Sequence, residues 1–156
     1  SKDVVFGINI EINQTPLMLS DQFDIIINSE ALAAMSGNYK LVVCLTENNI
    51  TNWQKDGDID DDSYVHKHVL RSFLTPTFGE DLANEEINNG DSFSNGFSPV
   101  ISDLENYNID YSQNTLTLGN GNAGDWDLNN MYVLAYIYDE SSNEILQVEE
   151  KSILNK

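Results

Sequence analysis

Along much of the chain, apolar and polar residues alternate with a period of two. Every second residue from Val4 to Ile12 is a large apolar one, and Gly7, Asn9 and Glu11 lie between them. This period is typical of a strand that buries one face and exposes the other. The pattern predicts a first strand at residues 4–12 and a second, similar strand later in the chain at 23–27.

Two longer segments are apolar on both faces. They are residues 39–46 (YKLVVCLT) and residues 131–138 (MYVLAYIY). Continuous apolar runs of this length predict central strands that are covered on both sides. The residues expected to be among the most buried are Val43, Cys44, Val133 and Ala135.

Further strands are predicted at residues 68–75, 92–98 and 144–149. The segments between them are rich in Asn, Asp, Gly and Ser, which favour turns and loops. Residues 139–143 are predicted to connect the two strands of a hairpin, at 131–138 and 144–149.

A short helical turn is predicted at residues 30–35, because Ser29 can cap its start and Gly37 can end it. It is too short to be a core helix. About seven short strands with almost no helical period favour an all-β fold. We expect a β-sandwich, immunoglobulin-like or jelly-roll-like, with mostly antiparallel strands and one or two short helical turns.

With 156 residues, the chain has the size of one domain and can bury a sizeable core. It contains no internal repeat and no long linker, so residues 1–156 are expected to form a single domain. Because it lacks an initiator Met and opens on a strand pattern, we interpret it as a trimmed or mature part of a longer precursor.

The chain is strongly acidic, with 7 Lys and Arg against 26 Asp and Glu and a formal net charge of -19. No Lys or Arg occurs between Arg71 and Lys151. This charge repels phosphate backbones and anionic lipids, so contact with membrane surfaces is disfavoured and we expect no nucleic acid partner. No apolar run reaches the roughly 20 residues of a membrane helix, so membrane association is expected only through a missing N-terminal anchor.

Five Asp residues fall within seven positions from Asp56 onward. Their alternate spacing resembles that of calcium loops, which predicts Asp56, Asp58 and Asp60 as metal ligands. The run departs from the EF-hand pattern, because Asp61 stands where Gly is needed and Lys67 where Glu should close the shell. A solvated acidic loop is the favoured interpretation, since charge runs are usually hydrated.

Two histidines and one arginine follow the acidic run. In an extended strand, His66 and His68 would point to the same side and could share a metal. Two ligands do not make a site, so we favour hydrogen bonds to nearby carboxylates that fix the loop. Arg71 is predicted to hold a carboxylate such as Glu47 across the sheet, because Arg suits bidentate pairing.

Acidic residues on both sides of Trp126 raise an alternative function. Paired carboxylates hydrolyse glycosidic bonds, and Trp126 could act as a sugar platform for a carbohydrate-active hydrolase. The candidate acids are Asp103, Glu105, Asp110, Asp125 and Asp127. Such neighbours arise by chance in so acidic a chain, and a Gly-x-Ser-x-Gly motif is absent, so we assign no catalytic residue and predict no enzyme.

Tyr132, Tyr136 and Tyr138 share one face of the strand predicted at 131–138 and could line a groove for a sugar or peptide. Packing in the core or between sheets is the favoured alternative, because aromatic residues are enriched in strands and bury large areas. Cys44 is the only cysteine, and we interpret it as a small buried apolar residue.

Three segments carry motifs of a known family. A strand ending in Leu-Thr-Glu leads into a polar segment with Gln (residues 45–54), and Tyr-x-His-x-His-x-x-Arg follows at 64–71. Near the C-terminus, Trp126 and an Asn pair precede two strands. In order and spacing, residues 39–151 resemble the twenty-eight-kilodalton outer-membrane protein family of Bacteroidetes, in its C-terminal β-sandwich domain.

The resemblance implies an outer-membrane-associated, cell-surface or secreted protein, often a lipoprotein, whose β-sandwich sometimes follows a thioredoxin-like domain. It implies a non-catalytic module of the cell envelope that acts as an adhesin or receptor for an unknown protein or glycan ligand. It carries over no catalytic or cofactor-binding residue. Calcium at Asp56, Asp58 and Asp60 is the best ion candidate that the sequence offers.

Overall fold

Strands form most of the protein. The computed structural model describes residues 3–14, 21–83, 86–116 and 123–154. Its strands in chain order are β1 (Phe6–Gln14), β2 (Phe23–Ala31), β3 (Met35–Ser36), β4 (Tyr39–Glu47), β5 (Ile50–Asp56), β6 (Ile59–His66), β7 (Val69–Phe73), β8 (Glu80–Ala83), β9 (Glu86–Ile87), β10 (Ser92–Phe97), β11 (Met131–Asp139) and β12 (Glu144–Ser152). The helical elements are α1 (Ile101–Asp110), a π-helical turn (Tyr111–Thr115) and a 3-10 turn (Leu128–Asn130).

The smaller of the two main sheets has the order β1-β2-β10, with antiparallel pairing throughout. Its register sets Ile10 opposite Ile27 and Ile12 opposite Ile25, and all four side chains are buried. The polar residues that alternate with them lie on the outer face. The strands predicted at 4–12 and 23–27 are therefore confirmed.

The larger sheet has the order β12-β11-β4-β7, and β8 also pairs with β4. β4 and β11 are therefore central, as their two-sided apolar sequences predict. Three of the residues expected to be most buried, Val43, Val133 and Ala135, are 0% exposed, and Cys44 is 5% exposed. The hairpin predicted at 139–143 joins β11 to β12.

The two sheets enclose one apolar core, so the fold is an all-β sandwich. At one end of the core, the rings of Phe6 and Tyr39 meet edge-on at 5.4 Å. At the edge, Lys151 Nζ donates to the carbonyl of Ile10 at 2.7 Å and ties β12 to β1. The core is built by the side chains that alternate inward on both sheets, as a sandwich requires.

Helix α1, which the sequence analysis did not predict, packs against this core. Ile101 is buried at its start and Leu104 packs on the core one turn later. The first two amide groups of the helix donate to Asp21, from Ile101 N to its carbonyl at 3.0 Å and from Ser102 N to its carboxylate at 2.9 Å. Hydrogen bonds from the side chain and the amide of Ser102 lower the pKa of the Asp21 carboxyl. No helix in the described ranges is long and apolar enough to cross a membrane.

The helical turn predicted at 30–35 is wrong. Glu30 and Ala31 continue β2, where Ala31 pairs with Phe6 and is fully buried. Met35 and Ser36 then form β3, which pairs with β9. The local capping signals are overridden because the sheet supplies hydrogen-bond partners to these backbone groups and the core buries Ala31.

Gly79 is expected to be irreplaceable, because its φ is +78° and an added Cβ would lie 2.6 Å from the carbonyl oxygen of Leu41. Gly79→Ala should lower the free energy of unfolding by more than about 2 kcal/mol, from both backbone strain and this clash. Gly57→Ala is the matched control, since φ is +62° there but nothing lies near the added Cβ. Urea unfolding measures both, and equal losses would show that the clash is relieved.

Candidate functional site

The outer face of the larger sheet carries aromatic side chains. On β11, Met131 and Val133 point into the core, so the alternation of the strand turns Tyr132, Tyr136 and Tyr138 outward, where they are half-buried. The favoured interpretation, packing in the core or between the sheets, is wrong for these tyrosines. The outward aromatic surface that a groove for a sugar or peptide would need is therefore present.

Neighbouring strands widen this surface. Val148 on β12 pairs with Tyr136, and Ile145 pairs with Tyr138. Ile145 is 59% exposed, Val148 51% and Phe78 81%. We call this set, Tyr136, Tyr138, Phe78, Ile145 and Val148, the tyrosine face. It borders a shallow concavity of about 210 Å³.

The loop that presents Phe78 is anchored on β4. Leu74 N donates to the carbonyl of Val43 at 2.8 Å, and the hydroxyl of the buried Thr75 accepts from Val43 N at 3.2 Å. Tyr138 Oη donates to the carbonyl of Phe78 at 2.8 Å. Phe78 is therefore exposed on a loop with fixed ends, and sequence analysis missed it. The pattern in the sequence that could have indicated it is an aromatic residue directly before a glycine, in a loop between two strands.

Charged pairs flank the tyrosine face. Lys40 bonds Asp81, and its Nζ lies 3.6 Å from Glu140 Oε1. Along the sheet, Glu150 Oε2 lies 3.2 Å from His68 Nε2. The apolar surface is thus bordered by carboxylates, and the basic groups beside it already have acidic partners.

Cys44 lies on the same side of β4, beneath this surface, and is almost fully buried. Burial raises the pKa of its thiol to about 11, so the thiolate that a nucleophile requires is disfavoured. The interpretation of Cys44 as a small buried apolar residue is confirmed.

The two histidines do not share a strand face. His66 ends β6, where its ring meets Tyr64 edge-on at 4.8 Å. His68 lies between β6 and β7 with φ at +52°, and its amide donates to Asn48 Oδ1 at 2.7 Å. The premise of a shared metal position is therefore wrong. The predicted contact with a carboxylate is confirmed for His68, through Glu150.

Arg71 forms the ion pair that the sequence predicts. Its Nε donates to Glu47 Oε2 at 2.8 Å, and the two side chains are only 6% and 4% exposed. The guanidinium also lies over the ring of Trp126, 5.7 Å from its centroid. The carbonyl of Arg71 accepts from Asn108 Nδ2 at 2.7 Å, which ties α1 to β7. Arg71 therefore joins the sheet, the helix and the segment before β11.

The acids considered for hydrolysis are mostly engaged in structural hydrogen bonds. A concavity of about 230 Å³ brings Asp125 and Asp127 together with Glu47. Glu47 Oε1 accepts from Asp127 N at 3.0 Å, so both oxygens of Glu47 are occupied. Asp127 caps the 3-10 turn by accepting from Asn129 N at 2.9 Å.

The other residues considered for hydrolysis do not line that concavity. Trp126 is half-buried and its indole donates to the carbonyl of Ala123 at 2.8 Å, so it offers no open platform. Glu105 accepts from Trp126 N at 3.2 Å. Asp103 and Asp110 are exposed on α1, where Asp110 accepts from Asn114 Nδ2.

The acidic run forms a hairpin rather than a loop. β5 and β6 pair through it, with Lys55 opposite Asp60 and a turn at Gly57 and Asp58. Asp61 Oδ1 accepts from Ser63 N at 2.9 Å. Within the described residues, no group of three or more His, Cys, Asp or Glu is arranged to hold a metal.

Breaking the Arg71 pair should destabilise the fold strongly. Arg71→Met leaves the buried Glu47 carboxylate without its cation and should cost about 3 to 5 kcal/mol. Adding Glu47→Gln should recover part of this loss, because Gln keeps an acceptor for Asp127 N and removes the buried charge. Lys40→Met, in a more exposed and solvent-screened pair, should cost far less than Arg71→Met. Denaturant unfolding measures all three, and equal losses in Arg71→Met and Lys40→Met would contradict the expectation.

Calcium binding by Asp56, Asp58 and Asp60 stays a prediction, and a thermal melt checks it. An ion at a hundred times its Kd adds about 2.7 kcal/mol to the free energy of unfolding, so millimolar calcium should raise Tm by several degrees over chelator. Asp58→Asn with Asp60→Asn should remove the shift, whereas Asp103→Asn on α1 should keep it. An identical Tm in calcium and chelator would leave the run as solvated surface.

Comparison with solved structures finds the same fold in two proteins of Porphyromonas gingivalis. HBP35 matches with a TM-score of 0.62 and 15% identity, over 96% of this chain and 41% of that one. A domain of the outer membrane lipoprotein Omp28 matches with a TM-score of 0.52 and 14% identity, over 96% of this chain and 88% of that one. The chain therefore spans less than half of HBP35. No curated protein sequence matches it significantly.

The family comparison covers nearly the whole chain. The model described as outer membrane protein Omp28 matches residues 7–156, which confirms the resemblance and extends it to the N-terminal strands. The expected location at the outer membrane or cell surface agrees with this result. The chain belongs to the Omp28 family of outer membrane proteins.

Proposed function

We propose that this domain is a non-catalytic binding module of the bacterial cell surface, of the adhesin or receptor class, and that the tyrosine face contacts its ligand. The observation that carries the proposal is the position of this face. Its aromatic and aliphatic side chains lie outward on the central strand β11, the edge strand β12 and the loop before β8.

Exposed apolar surface of this kind favours binding over packing. Proteins rarely leave neighbouring large apolar side chains in water, and where they do, the patch commonly marks an interaction site. Tyrosine is suited to such a site because it combines a large apolar ring with a hydroxyl group. Tyr136 and Tyr138 lie on a central strand, and Phe78 lies on a loop that is tethered to the sheet, so little conformational entropy should be lost there when a ligand binds.

A non-catalytic role is favoured over hydrolysis by the state of the acidic residues. Glu47 and Asp127 already accept the hydrogen bonds that hold β4, β7 and the segment before β11 together. A general acid or base must be free to exchange a proton with substrate. The buried thiol of Cys44 likewise favours an inert structural role.

We propose a protein or a glycan as ligand. The net charge of -19 disfavours nucleic acid and anionic lipid headgroups.

The proposal predicts that binding depends on the tyrosine face. Beads coated with residues 1–156 should adhere to at least one member of a panel of immobilised extracellular proteins and surface glycans. Phe78→Ser with Val148→Ser should weaken that adhesion about tenfold or more, since truncating central apolar contacts typically costs over 1 kcal/mol. Neither substitution touches the buried core, so circular dichroism should stay unchanged.

The matched control is Leu32→Ser, which removes an exposed apolar side chain from the connection after β2. Undiminished adhesion by the Phe78 and Val148 variant, or an equal loss in the control, would contradict a binding role for this face. Absence of adhesion to every member of the panel would contradict the proposal as a whole.

A further inference from the structure

We infer that the tyrosine face binds a cationic protein segment, one that combines apolar side chains with Lys or Arg; this inference rests on the proposed function and names its partner class. The inference depends on the charges that border the face and on the absence of basic residues in the segments that build it.

The border of the face carries more acid than base. Lys40 is shared by two carboxylates, Asp81 and Glu140, whose side chains are about half exposed, so this group has a net negative charge. Lys40 pairs with Tyr138 in the sheet, which sets the group at the end of the face. Glu150 lies opposite Leu134 on the same outer side, with His68 as its partner.

The segments that form the face contain no compensating cation. All its members lie between residues 78 and 148, and the sequence has no Lys or Arg between Arg71 and Lys151. The basic residues that bound this stretch are directed elsewhere. Arg71 is buried against Glu47, and Lys151 reaches to the carbonyl of Ile10 at the sheet edge. We therefore expect a negative potential at the face.

These charges discriminate between possible occupants. A second copy of the chain would bring another charge of -19 and the same acidic border, and like charges across an interface repel each other. Sialylated or sulfated glycans would meet the same repulsion. Neutral sugars would stack on tyrosine rings but gain little from aliphatic side chains such as Ile145 and Val148.

A cationic, partly apolar segment satisfies both properties of the face. Its apolar side chains would cover Phe78, Ile145 and Val148, and its cations would reach Asp81, Glu140 and Glu150 at the border. Tyr136 and Tyr138 add ring faces that attract Lys and Arg through cation–π contacts. An apolar centre with a charged border is the ordinary anatomy of a protein–protein interface.

The test is selection from a phage-displayed library of random peptides of about twelve residues, a length that can span a patch of this size. Immobilised residues 1–156 serve as bait, and the Phe78→Ser with Val148→Ser variant serves for counter-selection. Enriched peptides should carry a net positive charge together with aromatic or aliphatic residues. Their synthetic forms should bind several-fold more weakly when salt rises from about 0.05 to 0.5 M, because screening shortens the reach of the border charges.

Charge variants make the test specific. Glu140→Gln with Glu150→Gln should slow the association of the selected peptides several-fold, since border charges act mainly on the association rate. Glu11→Gln with Glu30→Gln changes the net charge equally on the outer face of the smaller sheet and should leave association almost unchanged.

Two outcomes overturn the inference while leaving the proposed function in place. One is enrichment of neutral or acidic peptides that still require Phe78 and Val148. In the other, the selection yields no peptide whose binding depends on the face, but a neutral glycan of the adhesion panel binds and its binding does depend on the face. A dimer in sedimentation that the Phe78 and Val148 substitutions dissociate would also overturn the inference, in favour of a second copy. If neither peptide nor panel member requires the face, the proposed function fails as well.

Discussion

The antiparallel pairing of β4 with β11 is the constraint on which the rest of the structure depends. Both strands lie in the middle of the larger sheet, and their inward residues form the centre of the core. Because side chains alternate along a strand, fixing one face in the core also fixes which residues face outward. A slip of one residue would move Val133 out to solvent and Tyr132 into the core.

The outward faces of these two strands have different environments. On β4, Val42 and Cys44 are covered, since the loop that follows β7 is tethered to the backbone of Val43 and packs closely at Gly79. On β11, the outward residues are only half covered. The same loop therefore completes the burial of β4 and adds Phe78 to the partly open surface beside it.

The buried ion pair of Arg71 and Glu47 is a second constraint on the fold, and it is a polar one. A buried pair is a weak source of net stability, but once formed it penalises any arrangement that separates its members. Glu47 also accepts from Asp127, and Arg71 lies over Trp126, so β4, β7, α1 and the segment before β11 meet at one point. Two of the acids that suggest a hydrolase in the sequence, Glu105 and Asp127, take part in this junction instead.

Periodicity in the sequence was sufficient to predict the all-β class, the first two strands and the central position of 39–46 and 131–138. The acidic composition and the pairing chemistry of Arg predicted the partner of Arg71. Those features depend on which residues must leave water and which charge must be neutralised, and both are properties of the residues themselves. The resemblance of residues 39–151 identified the family, and the family comparison extended the match to residues 7–156.

Tertiary structure decided the rest. Helix α1 and the hairpin of β5 and β6 are polar in sequence and have little periodicity, so packing and strand pairing, not local pattern, place them. Residues 30–35 have helical signals, yet Ala31 is buried against Phe6 as part of a strand. The tyrosine face combines residues from β11, β12 and a loop some sixty positions earlier in the chain. Sequence by itself determined which side chains are apolar, but only the register between strands decided which of them remain exposed together, because exposure depends on neighbours that are distant in the chain.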